Sequence, residues 1–566
     1  VSVLLSAVVA LTLSPVMCSL ILKQDKLGAK KNVVFRKINT GLELGTNKFL
    51  HIIRLLIKHK KRVLIGFVCM LGVIALVEKL MPSSFLPVED QGYFKIELEL
   101  PEGATLERTR LVSERAVSYL MANPAVDYVQ SVAGSSSQVG SSQSRSELTV
   151  ILKPWEERDD ETIEDIMAQV KKDMSEYPEC KVYLSRPPVI PGLGSSGGFE
   201  MQLEARNDAT LEDLESAVDT VMKYALENKS LTGLSSSLQS DIPQLYFDVD
   251  RDKVKFSGVP LADVFSTMKA YTGSVYVNDF NMFNRIYRVY IQAEAPYREH
   301  RENINLYFVR GADDTMIPLT SLGTATFTTG PGNLKRFNMF NSAVIRGEAA
   351  KGYSSGEAMA AIENIVKQHL PDNIGVEWSG LSYQQKQAGG KTGMVMALVL
   401  IFVFLFLAAL YESWSVPVAV ILSLPVAALG AYLGAWACGL ENDIYFQIGL
   451  VMLLGMAAKN AILIVGFAKK QADLGVSALE SALYASKLRF RPILMTSLAF
   501  ILGMLPLVIA SGPGSASRQA IGTGVFFGMI FAVIFGVLLV PFFFVIVYRS
   551  VEKFLPSKKK KVIAAQ

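Results

Sequence analysis

What this chain of 566 residues lacks narrows its function before any motif is read. Its four histidines (His51, His59, His300, His369) fall in no His-Glu-x-x-His or paired metal spacing. Of its four cysteines, Cys18, Cys69 and Cys438 lie in apolar runs and only Cys180 in polar sequence, which excludes a disulfide framework or a Cys-x-x-Cys metal site. Gly389-Gly390-Lys391-Thr392 imitates the end of a phosphate-binding loop, but Gln385 stands where that loop needs its first glycine. Energy coupling through a bound nucleotide is not supported, and no cofactor is expected.

Acidic residues are missing from the apolar runs. There are 52 Asp and Glu in the chain, yet the runs of membrane-spanning length hold none, apart from Glu78 at the frayed end of the weakest. One run, 444–468, does hold a charge: Lys459. An ammonium near the hydrocarbon centre costs about 2.5–3.5 kcal/mol and normally faces a partner inside a helix bundle. With no carboxylate available in any span, the partner is expected from outside this sequence. That pattern fits a proton- or ion-coupled membrane machine.

What is present agrees. Half of the residues are hydrophobic (50%) and the charged share is 19%, too apolar for an ordinary soluble enzyme of this length. Spanning-length runs occur at 1–22, 63–80, 392–410, 416–438, 444–468, 493–510 and 520–547, seven in all. Residues 23–62 carry twelve Lys and Arg against Asp25 and Glu43, so this stretch reads as a cytoplasmic loop. Lys469, Lys470, Lys487, Arg489, Arg491 and the tail at 558–561 then fall on the same side, and the short opposite loops hold one basic residue, Arg518. The segment 81–391 is thereby placed outside, and an odd number of spans puts the N-terminus there as well. A start inside an apolar run with no charged leader reads as a cut through a longer protein. Pro15, Pro417, Pro425, Pro506 and Pro541 interrupt the spans, either as packing kinks or near moving parts.

The outer segment reads as repeated β-α-β units. Alternation predicts strands at 93–100, 126–132, 147–153 and 182–185, and helical spacing predicts helices at 105–120 and 161–174. That order is the split ferredoxin-like pattern. A second set has a strand at 199–205, a helix at 211–227 and a strand at 233–238, and resumes later at 343–348, 355–369 and 376–378. An inserted domain, 243–336, separates the halves and holds a hairpin-like stretch at 275–290. The division is therefore 1–80 (two spans with a basic loop), 81–192 (first subdomain), 193–242 with 337–385 (second, split), 243–336 (inserted), 386–549 (five spans) and 550–566 (basic tail). The fold class is a membrane α-helical bundle plus a large α+β region on the outer side, which the resemblance given next makes periplasmic.

Several long stretches resemble one family. Residues 85–92 (FLPVEDQG), 409–414 (ALYESW), 455–463 (GMAAKNAIL), 489–497 (RFRPILMTS) and 540–543 (VPFF) are similar to the resistance-nodulation-division (RND) efflux permeases, in the hydrophobe/amphiphile branch typified by AcrB and MexB. The resemblance is collinear from Val1 to about Arg549. It implies a C-terminal half carrying the sixth to twelfth of twelve spans. It also implies a homotrimeric proton antiporter of the bacterial inner membrane, driven by the proton-motive force. Such a permease exports amphiphilic small molecules through a periplasmic adaptor protein and an outer-membrane channel, and contacts membrane lipid; no nucleic acid is involved. By the same resemblance the two β-α-β sets are porter subdomains, 243–336 belongs to the funnel or docking domain, and its hairpin reaches into a neighbouring protomer.

The resemblance assigns a proton relay to Lys459, Asn460, Arg489 and Thr496, with the lysine paired to two aspartates on a fourth span not contained here. Protonating such a carboxylate would release Lys459 toward other acceptors, such as the Thr496 hydroxyl. Arg489 could instead anchor its helix at the head groups, and Thr496 could bond its own helix backbone. On the substrate side the chain departs from the family. The loop 134–142 (GSSSQVGSS) stands where the drug pumps carry a glycine- and phenylalanine-rich switch loop, and it holds no aromatic residue. Gly134, Ser136, Gln138 and Gly140 of this loop, with Ser131, Thr149, Lys95, Glu97 and Ser235, are expected to line a more polar cleft; the alternative is a solvated linker. Two further functions stay open: a metal-exporting RND permease, and a non-transporting envelope-assembly or lipid-handling component.

Overall fold

The computed structural model describes residues 5, 7–21, 33–101, 103–137, 140–158, 161–174, 177–190, 192–194, 197–240, 242–312, 314–389 and 392–554. Six helices among them are long and apolar enough to cross a membrane: Lys60–Leu80, Gly393–Tyr411, Val416–Ala437, Ile444–Asp473, Ala478–Val508 and Ser515–Glu552. The span expected at 1–22 falls partly outside the described residues, and its described part is a shorter apolar helix, Val9–Ile21. The basic tail at 558–561 and the Gly390-Lys391 pair lie outside the described residues.

Small residues set the packing of the bundle. Gly430 and Gly434 of the Leu424–Ala437 helix face Phe527 and Phe531 of the Ser515–Phe531 helix, and a methyl group at either glycine would collide with those phenylalanines. Gly528 packs as closely on Leu453 of the Ile444–Asp473 helix. With lipid on the outside there is little hydrophobic drive between helices, so close backbone approach and dispersion hold them together.

The basic stretch after the first expected span is not a loop. Val33–Lys58 is one helix of 26 residues. Phe49 and Ile53 are buried on the bundle; Phe49 stacks on Phe490 with ring centroids 4.6 Å apart, and Arg491 donates to Asn39 Oδ1 at 3.0 Å. Leu44, Ile52 and Leu55 point outward on the same helix. The amphipathic stripe needs only one residue per turn, and the twelve basic residues masked it.

Outside the bundle stand two antiparallel sheets. In the first, the strands run Val126–Ser136, Gly140–Leu152, Tyr93–Glu99, Lys181–Ser185, the spatial order of a split β-α-β fold. Phe94, Ile96, Leu98, Leu148 and Val150 bury one face against the Leu106–Met121 and Ile163–Met174 helices. The second sheet orders Leu231–Ser236, Phe340–Ala349, Phe199–Ala205, Ile374–Trp378, with Lys335–Phe337 also on Phe340–Ala349. Its helices Leu211–Glu227 and Ser355–His369 both begin with reciprocal capping boxes, Thr210 with Asp213 and Ser354 with Glu357.

The intervening stretch holds three small two-stranded sheets: Ile242–Val249 with Gly323–Gly330, Phe308–Arg310 with Met316–Pro318, and Val275–Met282 with Arg285–Ile291. The last is a hairpin whose tip, Phe283 and Asn284, adopts positive φ (51° and 60°), the geometry of a two-residue turn. Its strands are exposed almost throughout.

The linker alternative for 134–142 gives way to a paired structure. Ser135 pairs with Ser141 and Ser136 with Gly140, so its described residues form the end of a β-hairpin. Gly134 and Gly140 have φ of 85° and 95°, values that an L side chain avoids, and they flank the turn.

Candidate functional site: a membrane lysine and a charged inter-sheet cleft

On the Ile444–Asp473 helix, Ala457, Ala458, Asn460 and Ala461 are buried, while Lys459 lies on the exposed side. Among the described residues Lys459 has no hydrogen-bond or ion-pair partner. Asn460 turns inward and donates from Nδ2 to Ser497 Oγ at 3.0 Å, tying this helix to Ala478–Val508. Ser497 escaped the sequence reading because a serine in an apolar helix carries no signal of its own. Thr496, next to it, is exposed and donates to the Ile493 carbonyl at 3.1 Å, the local bond that a membrane threonine commonly makes. Arg489 lies two turns further along, its guanidinium 3.7 Å from the centroid of the Phe467 ring, with Nε buried and unpartnered. Asn460 thus ties the seam between the two helices, Lys459 and Thr496 lie on exposed faces beside it in sequence, and Arg489 sits apart from them.

The second cluster lies on the face of the first sheet turned away from its helices. Register puts Lys95 opposite Thr149 and Ser185, Glu97 opposite Glu147 and Tyr183, and Glu99 opposite Arg145. Lys95 Nζ meets Glu147 at 2.6 Å. Arg145 bridges Glu97 at 2.6 Å and Glu99 at 2.8 Å, and all three are buried. The hairpin end closes on this network: Ser136 Oγ donates to Glu97 at 2.7 Å and the Ser137 amide to Glu147 at 2.6 Å. Burial alone would raise the Glu147 carboxyl, but the hydrogen bonds from Lys95 and Ser137 outweigh it and hold the group below its ordinary value.

Two expectations change here. Ser136 is a buried clamp on Glu97, not a cleft-lining hydroxyl. Ser131 pairs with Leu148, a core residue, so it sits on the opposite face from Lys95 and Thr149. Gln138 lies outside the described residues. Ser235 stands opposite Arg346 in register and lines a cleft between the two sheets, with Tyr183, Leu184, Ser185 and Glu348. Arg145, Glu99 and Glu147 were not singled out from sequence. Their signal was alternation along 140–152, which puts 145, 147 and 149 on one face.

Two adjacent carboxylates join bundle and sheets. Glu89 accepts from the amides of Ser517 (2.8 Å) and Ala516 (3.3 Å) and from the Ser517 hydroxyl, capping the Ser515–Phe531 helix. Asp90 accepts from Arg158 at 2.8 Å and from the Gly92 amide at 2.8 Å. Glu89→Ala is expected to cost about 0.5–2 kcal/mol, the usual range for a lost helix cap. Thermal unfolding of the purified protein checks this; Glu89→Gln, which keeps an acceptor, should lie between the two.

The chain thus joins a bundle of spanning-length apolar helices, one of them carrying an exposed lysine, to two α/β sheets with a cleft between them. The chain matches the AcrB/AcrD/AcrF family over residues 1–548 and belongs to it. It is 38% identical over 560 residues to the "Multidrug resistance protein MdtF" of Escherichia coli K12, covering 98% of this chain and 54% of that protein. Identity is 38% over 550 residues to the "Multidrug/solvent efflux pump membrane transporter MepB" of Pseudomonas putida (96% and 52%). It is 37% over 553 residues to the "Multidrug export protein AcrF" of Escherichia coli K12 (96% and 53%). The chain spans about half the length of the curated relatives it matches.

Proposed function

We propose that the whole protein to which this chain belongs exports amphiphilic compounds, including drugs, detergents and bile-salt-like molecules, in exchange for protons. Lys459 carries this reading: one cation in an apolar span, on the exposed side of its helix, among residues that match the family's relay. Asn460 orients the seam through Ser497, and Thr496 is the hydroxyl that a released ammonium reaches. Arg489, held over Phe467, serves as an anchor at the cytoplasmic end. The proton-motive force supplies the energy and no cofactor is required.

In this reading the chain contributes the C-terminal half of a twelve-span permease of the bacterial inner membrane. The two sheets, at 81–192 and at 193–242 with 337–385, are periplasmic porter subdomains, and 243–336 is the docking domain. The exposed Val275–Ile291 hairpin engages a neighbouring protomer of a trimer, and an adaptor and an outer-membrane channel complete the path. The relatives named for multidrug and solvent export support it. Cells lacking their own pumps but carrying the whole protein should accumulate less amphiphilic dye than control cells, and a protonophore should abolish the difference. Equal accumulation with and without the protein sinks the proposal; a difference that survives the protonophore sinks the proton coupling.

A further inference from the structure

Arg346, on the strand Phe340–Ala349, is only 7% exposed. Its Nε donates to Glu200 at 3.1 Å, but Nη1 is buried with no hydrogen-bond partner. A guanidinium carries five N–H donors in a rigid plane, and an unmet buried donor is costly enough that native structures seldom tolerate it. This residue lines the inter-sheet cleft, facing the strand that carries Tyr183, Leu184 and Ser185. With the sheets in this position the cleft has room for little more than a water molecule, so a larger ligand enters only when they part.

Burial pushes the nearby Lys335 ammonium down and the positive Arg346 adds to that, so two cations crowd one another here. Burial also pushes the Glu348 carboxyl on the cleft wall up. Glu200 takes the Nε of Arg346 and leaves the buried Nη1 for a second acceptor, and Leu184 adds an apolar surface beside it.

We propose that Arg346 is the head-group anchor of the cleft: when the two sheets part, its planar fork takes an oxyanion (carboxylate, sulfate or sulfonate) of an amphiphile whose tail lies along the cleft wall. The Ser185 and Ser235 positions supply polar walls beside the head group. The inference rests on the export reading above and names the feature of the substrate that this cleft selects.

The test uses three detergents with one dodecyl tail and different heads: dodecyl sulfate, dodecyltrimethylammonium and dodecyl maltoside. Growth protection is measured in pump-deficient cells carrying the whole protein. The Arg346→Met/Glu200→Gln double variant removes the pair together, so no buried charge is orphaned. It should lower protection against dodecyl sulfate, relative to dodecyltrimethylammonium, about tenfold or more, the scale of one charge-assisted hydrogen bond. Arg346→Lys keeps the charge but not the fork, and should lose part of the same ratio. An unchanged ratio in both variants overturns the inference, because Arg346 then only holds Glu200. Equal loss for all three detergents also overturns it, showing a structural pair while the export reading stands. A wild-type protein that protects against none of the three removes the export reading and this inference with it.

Discussion

Lys459→Met in the whole protein is expected to reduce export to the level of cells without the protein, while the purified variant melts no lower than the wild type. The two halves of that outcome come from one cost. An ammonium in an apolar span costs about 2.5–3.5 kcal/mol, so methionine, of similar length and apolar, relieves the helix of it. The packing neighbours are untouched: Ala457, Ala458 and Ala461 face the bundle, and Asn460 keeps its bond to Ser497. If the lysine served only to fix a helix through an ion pair, its loss would leave a buried carboxylate unpaired and destabilise the protein. Dye efflux from energised cells, paired with a melting curve, separates these cases. Normal efflux removes the relay role. Lost efflux with a collapsed melting curve reassigns Lys459 to structure.

The apolar spans were legible because length and hydropathy alone define them, as for Ile444–Asp473 and Ser515–Glu552. Alternation made the two faces of a strand legible: Phe94, Ile96 and Leu98 point one way and Lys95, Glu97 and Glu99 the other. Composition misled where it competed with periodicity. Twelve basic residues hid the stripe of Phe49 and Ile53 in the Val33–Lys58 helix. Glycine and serine left a linker open as the alternative at the end of the Val126–Leu152 hairpin, although Ser136 and Ser137 are held there by Glu97 and Glu147. Cross-strand register was the least readable feature. Ser131 and Thr149 look equivalent in sequence, yet pairing puts Ser131 beside Leu148 and Thr149 beside Lys95. The same limit hid Arg145, whose two partners, Glu97 and Glu99, lie more than forty residues away along the chain, as the 48-residue separation from Glu97 shows.

Arg145→Met is expected to destabilise the first sheet by about 3–5 kcal/mol, the cost of removing one partner from a buried ion pair. Arg145 is 2% exposed, Glu97 6% and Glu99 9%, so neither carboxylate can turn to water when the guanidinium goes. Lys181 reaches Glu99 only at 3.9 Å from a largely exposed position, and Ser136 and Gln239 donate single neutral hydrogen bonds. None of these replaces a cation shared by two carboxylates. The hairpin end should open first, since Ser136 depends on Glu97, and protease cleavage near residue 138 should accelerate. One control separates charge from lost packing. Arg145→Met/Glu97→Gln/Glu99→Gln removes all three charges together and should recover most of the resistance to cleavage and heat. A gap that persists in the triple variant would mean that the Arg145 stem, not its charge, supports the sheet.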